Sequence, residues 1–178
     1  MNDFLELCLK RQSCRTFSGQ PVEHEKLLKC VEAGRLAPSA CNSQPWSFVV
    51  VETPEMVAEV AKCGQQIDMN PFLSKAGAFI IILEEHAVLM KRVRSIMDSQ
   101  YFAKGDLGAA TIQVCLEAES QGLGSCIIGI YDREGLCNLL DIPMEKQFGA
   151  LIAIGYPEEG TKLRPKTRKA VEDITRFV

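Results

Sequence analysis

Residues 77–84 read GAFIIILE, an apolar run with no polar residue at alternate positions. A strand that faces water on one side alternates apolar and polar side chains, because successive side chains point to opposite faces. Without that alternation both faces must be covered, so the chain needs structure above and below its sheet. WSFVVVE at 46–52 is a second strand, rich in β-branched and aromatic residues, and residues 125–130 and 149–155 add two more apolar segments. Helical patterns lie between and around them, at residues 22–37, 54–63, 105–121 and 132–140. In 105–121, Leu107, Ala110, Val114 and Ala118 form one stripe and Gln113, Glu117, Ser120 and Gln121 another. Asp106 suits the positive end of that helix dipole, and Gly122 is its stop. Residues 3–10 predict a short first helix, and 86–103 a mostly helical stretch. Helices alternating with four or five strands imply a layered α/β architecture.

At 178 residues, with 47% hydrophobic and 24% charged side chains, the chain reads as one globular domain, 1–178, able to bury roughly 70% of its unfolded surface. Its net charge of −3 argues against a nucleic-acid coat. No apolar run is long enough to span a bilayer, and the first residues, MNDFLELCLKRQ, lack the pattern of a signal peptide. The expectation is a cytoplasmic protein with neither nucleic acid nor membrane as partner. Eight cysteines without a CxxC pair, and only two histidines, exclude zinc and iron–sulfur spacing, so no metal is expected. Cys8, Cys30 and Cys115 fall inside apolar helical patterns, where a thiol serves as a small hydrophobe. Cys14 and Cys41 fall in polar segments instead.

Those polar segments concentrate the chemistry. Arg11, Ser13 and Arg15 are spaced by two, which in an extended segment turns all three to one side. Two guanidiniums flanking a hydroxyl suit a dianionic phosphate monoester; the plainer reading is a solvated basic stretch. Lys162, Arg164, Lys166, Arg168 and Lys169 form a second cationic cluster with no acid among them, again alternating at Lys166 and Arg168. Alone it reads as a solvated tail; two such clusters in an acidic chain make a shared phosphate site more credible. The stretch from Ala37 to Trp46, APSACNSQPW, is a loop framed by two prolines, in which Asn42 and Gln44 offer donors and acceptors to a heteroaromatic edge. GLGSCIIG at 122–129 allows close backbone approach to a ligand, though helix-to-strand turn chemistry explains it equally. Residues 158–178 continue past the core pattern, yet Ile174, Phe177 and Val178 suit packing on a partner better than a free tail.

Taken in order, RQSCRTF at 11–17, APSACNSQPWSFVVV at 37–51, DLGAATIQVCLEAESQGLGSCIIG at 106–129, AIGYP at 153–157 and KTR at 166–168 resemble the FMN-dependent nitroreductase family. The resemblance implies an α+β sandwich: a central, mostly antiparallel sheet of four to five strands flanked by helices, in a homodimer with FMN at the subunit interface. It implies that the 158–178 extension wraps the partner subunit. It implies that Arg11, Ser13, Arg15, Lys166 and Arg168 hold the FMN phosphate, and that Pro38, Ser39, Ala40 and Asn42 reach the flavin from the partner chain. Asn70 would contact the isoalloxazine, and Ile128 and Gly129 would lie near its reactive N5 edge. The chain departs from the family pattern at Gln12, where many members carry a second Arg, and at Ala40, where Ser or Thr is frequent. It is also short around 84–104.

On that resemblance the expected activity passes a hydride from NADH or NADPH through flavin N5 to a nitroaromatic, quinone or similar small acceptor, in a ping-pong cycle. No side chain is assigned as a catalytic acid, because the chemistry sits on the cofactor. Related reductive dehalogenation and flavin destruction need capping features that the short middle segment does not supply. The alternative from another class is a non-catalytic flavin-binding redox sensor using Cys14 or Cys41.

Overall fold

The computed structural model describes residues 4–178, so Asp3, the expected start of the first helix, lies outside the described residues. The elements are α1 (Phe4–Lys10), α2 (His24–Arg35), β1 (Trp46–Val51), α3 (Pro54–Cys63), β2 (Ala78–Glu84), α4 (Lys91–Arg94), α5 (Ala103–Ser120), β3 (Gly124–Ile128), α6 (Arg133–Leu140), β4 (Phe148–Gly155) and α7 (Val171–Ile174). The four strands form one sheet in the order β1-β2-β4-β3, every neighbouring pair antiparallel. The two strands without alternation, β2 and β4, take the two central places, where both faces are covered.

Each face of the sheet carries its own core. Phe79, Ile81, Leu151 and Ala153 pack with Val60 of α3 and Leu136 of α6. Ile80, Ile82, Ile152 and Ile154 pack on the other face against Leu27 of α2 and the Leu107–Ala110–Val114–Ala118 stripe of α5. Most of these side chains are fully buried, and each Val, Leu, Ile or Phe among them stabilises the fold by about 1.5–3 kcal/mol relative to exposure. The expected stripe on α5 is the one the core uses. Gly122, at φ +77°, ends that helix turn in the left-handed region that favours glycine.

Residues 86–103 depart from the expected helix. Between residues 86 and 102 only α4 and a 3₁₀ turn at Ser99–Tyr101 are helical, and Ala103 opens α5. Outside those short turns the backbone is held by side chains. The Val88 amide donates to Ser43 Oγ at 2.7 Å, and the Ala87 amide to Gln100 Oε1 at 2.6 Å. Gln100 Nε2 in turn donates to Glu84 at 2.6 Å, while the Asp98 carboxylate accepts from the Gln100 amide. Ala87 and Leu89 are buried, whereas Val88, Met90 and Ile96 are exposed, so no helical stripe exists to bury.

One more segment joins the sheet. Ser13 forms a parallel bridge to Ser125 of β3, and Phe17 an antiparallel bridge to Pro157. Residues 11–17 thus run along the free edge of β3. Gly124 makes this approach possible: a Cβ there would fall 2.6 Å from Cys14 Cβ. Beyond β4, residues 158–178 are exposed almost throughout, and Phe177 and Val178 find no cover among the described residues.

Candidate functional site

The cationic ends of the chain meet. Residues 158–166 return along 11–16: the Glu158 amide donates to Thr16 O at 2.8 Å, Arg164 Nη2 to Ser13 O at 2.6 Å, and Lys166 Nζ to Arg11 O at 2.6 Å. These bonds place Arg11, Ser13, Lys166 and Arg168 around one cavity of about 280 Å³. Arg15, expected beside them, lines a neighbouring cavity of about 390 Å³ with Thr16, Lys162 and Arg164, where the acids Glu158 and Glu159 also stand. Gln12, Ser13 and Arg164 border both. The i, i+2 spacing therefore brings Arg11 and Ser13 together, as expected, and turns Arg15 into the adjoining space.

The charge here is unbalanced. Among the described residues, no ion pair involves Arg11, Arg15, Arg164, Lys166 or Arg168. Loss of solvent, with the guanidiniums of Arg11 and Arg168 nearby, pushes the Lys166 ammonium below its ordinary pKa. A cavity whose cations repel one another and lack carboxylate partners is built to take an anion.

Glu119, near the end of α5, is the acid closest in influence. Burial raises its carboxyl pKa, and the attraction of Lys166, Arg11 and Lys10 offsets this only in part. A folded pKa above the unfolded one gives stability that is present at low pH and lost as pH rises through the folded value. At neutral pH the ionised carboxylate is therefore held at a cost. Glu119→Gln should raise the melting temperature at pH 7, and the gain should shrink as pH falls toward 4. A difference independent of pH in thermal melts would contradict this.

The Pro38–Asn42 region lies elsewhere. It turns through a 3₁₀ segment, Ala40–Asn42, with Cys41 and Asn42 at φ 55° and 53°, strained values of the kind that collect at functional sites. The Ala40 amide donates to Asp106 Oδ2 at 3.1 Å, which ties the loop to the first turn of α5. Glu119 and the cationic cavity sit toward the other end of that helix, thirteen residues on, or about 20 Å at 1.5 Å per residue. Pro38, Ser39, Ala40 and Asn42 thus do not line the cavity that Arg11 and Lys166 line in the same chain. Pro38 and Asn42 are exposed and Ser39 and Ala40 half-buried, so the loop is open to a second molecule.

The remaining expected residues gather at the far end of β3. Ile128 is buried in the core, and Gly129 is exposed just after it. Asn70, at φ 55°, donates from Nδ2 to Gly64 O at 3.0 Å and to Ile130 O at 3.4 Å, which fixes it next to Gly129. Asn70, Ile128 and Gly129 are thus neighbours in space, although sixty residues of sequence lie between Asn70 and Ile130.

The sensor alternative gains no support. Cys14 is only 4% exposed, and burial pushes its thiol pKa up, away from the reactive thiolate. Cys30 is pushed up to about 12 by burial. All eight cysteines are free thiols, Cys41 being exposed. Two residues that sequence reasoning left out of the site belong to its geometry, Gln12 and Arg164. The signal for Arg164 was present: Lys162, Arg164, Lys166 and Arg168 alternate without a break. Among the described residues no cluster of His, Cys, Asp or Glu could hold a metal, and no helix is long and apolar enough to cross a membrane.

Comparison with known proteins adds to this geometry. The model of the nitroreductase family matches residues 8–156. The FMN reductase [NAD(P)H] of Bacillus subtilis is 26% identical over 175 residues, covering 93% of this chain and 70% of that protein. Among solved structures, a nitroreductase family protein from Streptococcus pneumoniae superposes with a TM-score of 0.80 at 29% identity, covering 99% of this chain and all of that one. An FMN-dependent nitroreductase from Clostridium difficile superposes at 0.76 with 26% identity, covering 98% of both chains.

Proposed function

The chain belongs to the nitroreductase family, and from that premise we propose that it is an FMN-dependent oxidoreductase taking electrons from NADH or NADPH and passing them to a small oxidised acceptor such as a nitroaromatic or quinone. The observation that carries this reading is the cavity of unpaired cations, Arg11, Lys166 and Arg168, with Ser13 at its edge. The cavity fits the phosphate of FMN, since a dianion there would offset both the loss of solvent and the neighbouring guanidiniums that together depress the Lys166 pKa. When bound, the flavin supplies hydride transfer at N5.

The chain's own residues have three tasks. Arg11, Ser13, Lys166 and Arg168 hold the phosphate, with Arg15 next to them in the adjoining space. Asn70 and the exposed backbone at Gly129 orient the ring edge; the two carbonyls that hold the Asn70 amide fix it in place. Pro38, Ser39, Ala40 and Asn42 meet the ring of the partner's site, because within one chain they stand about a helix length from the phosphate cavity. That separation supports a homodimer. It is supported also by an apolar groove along α1, α2 and α5 lined by Phe4, Leu7, Leu36 and Leu116, with the Gln113 amide oxygen buried there and unpaired.

The test is an absorbance spectrum of purified protein, then anaerobic addition of NADH and of NADPH. Flavin bands should bleach with at least one donor and return with a nitroaromatic or quinone. Absence of flavin bands after incubation with FMN would overturn the assignment, and bands that neither donor bleaches would remove the reductase activity while leaving the cofactor.

A further inference from the structure

Resting on the FMN reading above, we infer that Arg164 is a further ligand of the cofactor phosphate and that Gln12 is the residue that positions it. Arg164 borders the cationic cavity of Arg11, Lys166 and Arg168 and also the adjoining one, which carries Glu158 and Glu159 beside Arg15 and Lys162. Its side chain is fixed at two points: Nη2 donates to Ser13 O at 2.6 Å, and Nε to Gln12 Oε1 at 3.3 Å. The Arg164 backbone amide donates to the same Gln12 oxygen at 3.1 Å. A guanidinium has five N–H donors. Two are used here, and among the described residues the other three have no acceptor and no carboxylate within ion-pair distance. A guanidinium held this way loses little further freedom when an anion arrives.

Gln12 is suited to this task because an amide both accepts and donates. Its Oε1 takes the two Arg164 bonds while its Nε2 donates to Lys162 O at 3.2 Å. It therefore secures the returning segment at two residues and leaves the Arg164 charge intact. A carboxylate at position 12 would hold Arg164 at least as firmly but would neutralise the charge that a phosphate needs. An arginine there would repel it. Of these three side chains, the amide is thus the one that holds Arg164 without cancelling or repelling its charge.

The experiment titrates apo-protein with FMN and, separately, with riboflavin, which lacks the phosphate, following flavin fluorescence. Arg164→Ala should weaken FMN binding about tenfold and leave riboflavin within about twofold, as expected for one charge-assisted contact to phosphate. Gln12→Ala should produce a smaller loss that disappears in the Arg164→Ala background. Gln12→Glu separates positioning from mere support of the fold: it should weaken FMN binding with no fall in melting temperature. Arg164→Gln keeps a donor for Ser13 O and serves if Arg164→Ala is too unstable to titrate; it too should lose FMN affinity selectively. Unchanged FMN affinity in the Arg164 variants, or equal losses for both flavins, would overturn the inference while leaving the cofactor assignment standing. A wild-type protein that binds neither flavin would instead overturn the cofactor assignment, and this inference with it.

Discussion

Phe17→Ala should lower the stability of the protein by about 3–5 kcal/mol, a shift of about 6–20 °C in melting temperature for a domain of this size. Phe17 is fully buried, and its ring lies 6.3 Å from that of Phe72, which follows the turn that holds Asn70. Its backbone bridges Pro157, where the C-terminal segment leaves the sheet. One side chain thus pins three things to the core: residues 11–16, the 70–75 turn and the start of the returning C-terminal segment. Removal of the ring leaves a cavity among Cys14, Leu73, Phe79 and their neighbours that rigid strands cannot close. Urea melts with an unchanged m-value would read the loss directly. A cost under about 1 kcal/mol would show that the segment is held by its hydrogen bonds and not by this anchor.

Arg168→Ala should weaken FMN affinity by about 1.5–3 kcal/mol, or about 10–150-fold, with riboflavin indifferent. Arg168 bonds only to the carbonyl of its own neighbour, Thr167, and makes no ion pair among the described residues. Its removal therefore strands no buried partner, and the melting temperature of the apo-protein should hold. Arg15→Ala offers a contrast, because Arg15 faces the adjoining cavity. Its effect on FMN should be smaller than that of Arg168→Ala. Equal losses of FMN and riboflavin affinity in Arg168→Ala would show that the phosphate lies elsewhere, and a larger effect at Arg15 would move it into the second cavity.

The parts of the fold that sequence made legible are those governed by burial. GAFIIILE and GALIAIG have no alternation and become the two central strands, and the α5 stripe is the one that packs on the sheet. Residues 86–103 were misread because no periodicity governs them. Their backbone is held by Ser43, Gln100 and Asp98, and a hydroxyl or amide that reaches a distant N–H leaves no pattern in a local window. The site divides in the same way. Arg11, Ser13, Lys166 and Arg168 were legible as alternating charge without acids, and the structure brings them to one cavity. The turning of Arg15 into a second space was not, because it depends on where the returning segment lies. Gln12 carried no signal of its own, since its role rests on partners 150 residues away.

That separation has a consequence for how the molecule is made. The bonds that build the cationic cavity join residues 150–155 positions apart, so they close a loop of almost the whole chain. A ribosome adding about 5–20 residues per second needs about 8–30 s between presenting residue 12 and presenting residue 162. Through that interval the N-terminal arginines stand without the lysine and arginines that complete their pocket. An anion bridging the two ends arrives only after synthesis has passed both, and it then acts as a removable crosslink on a long loop.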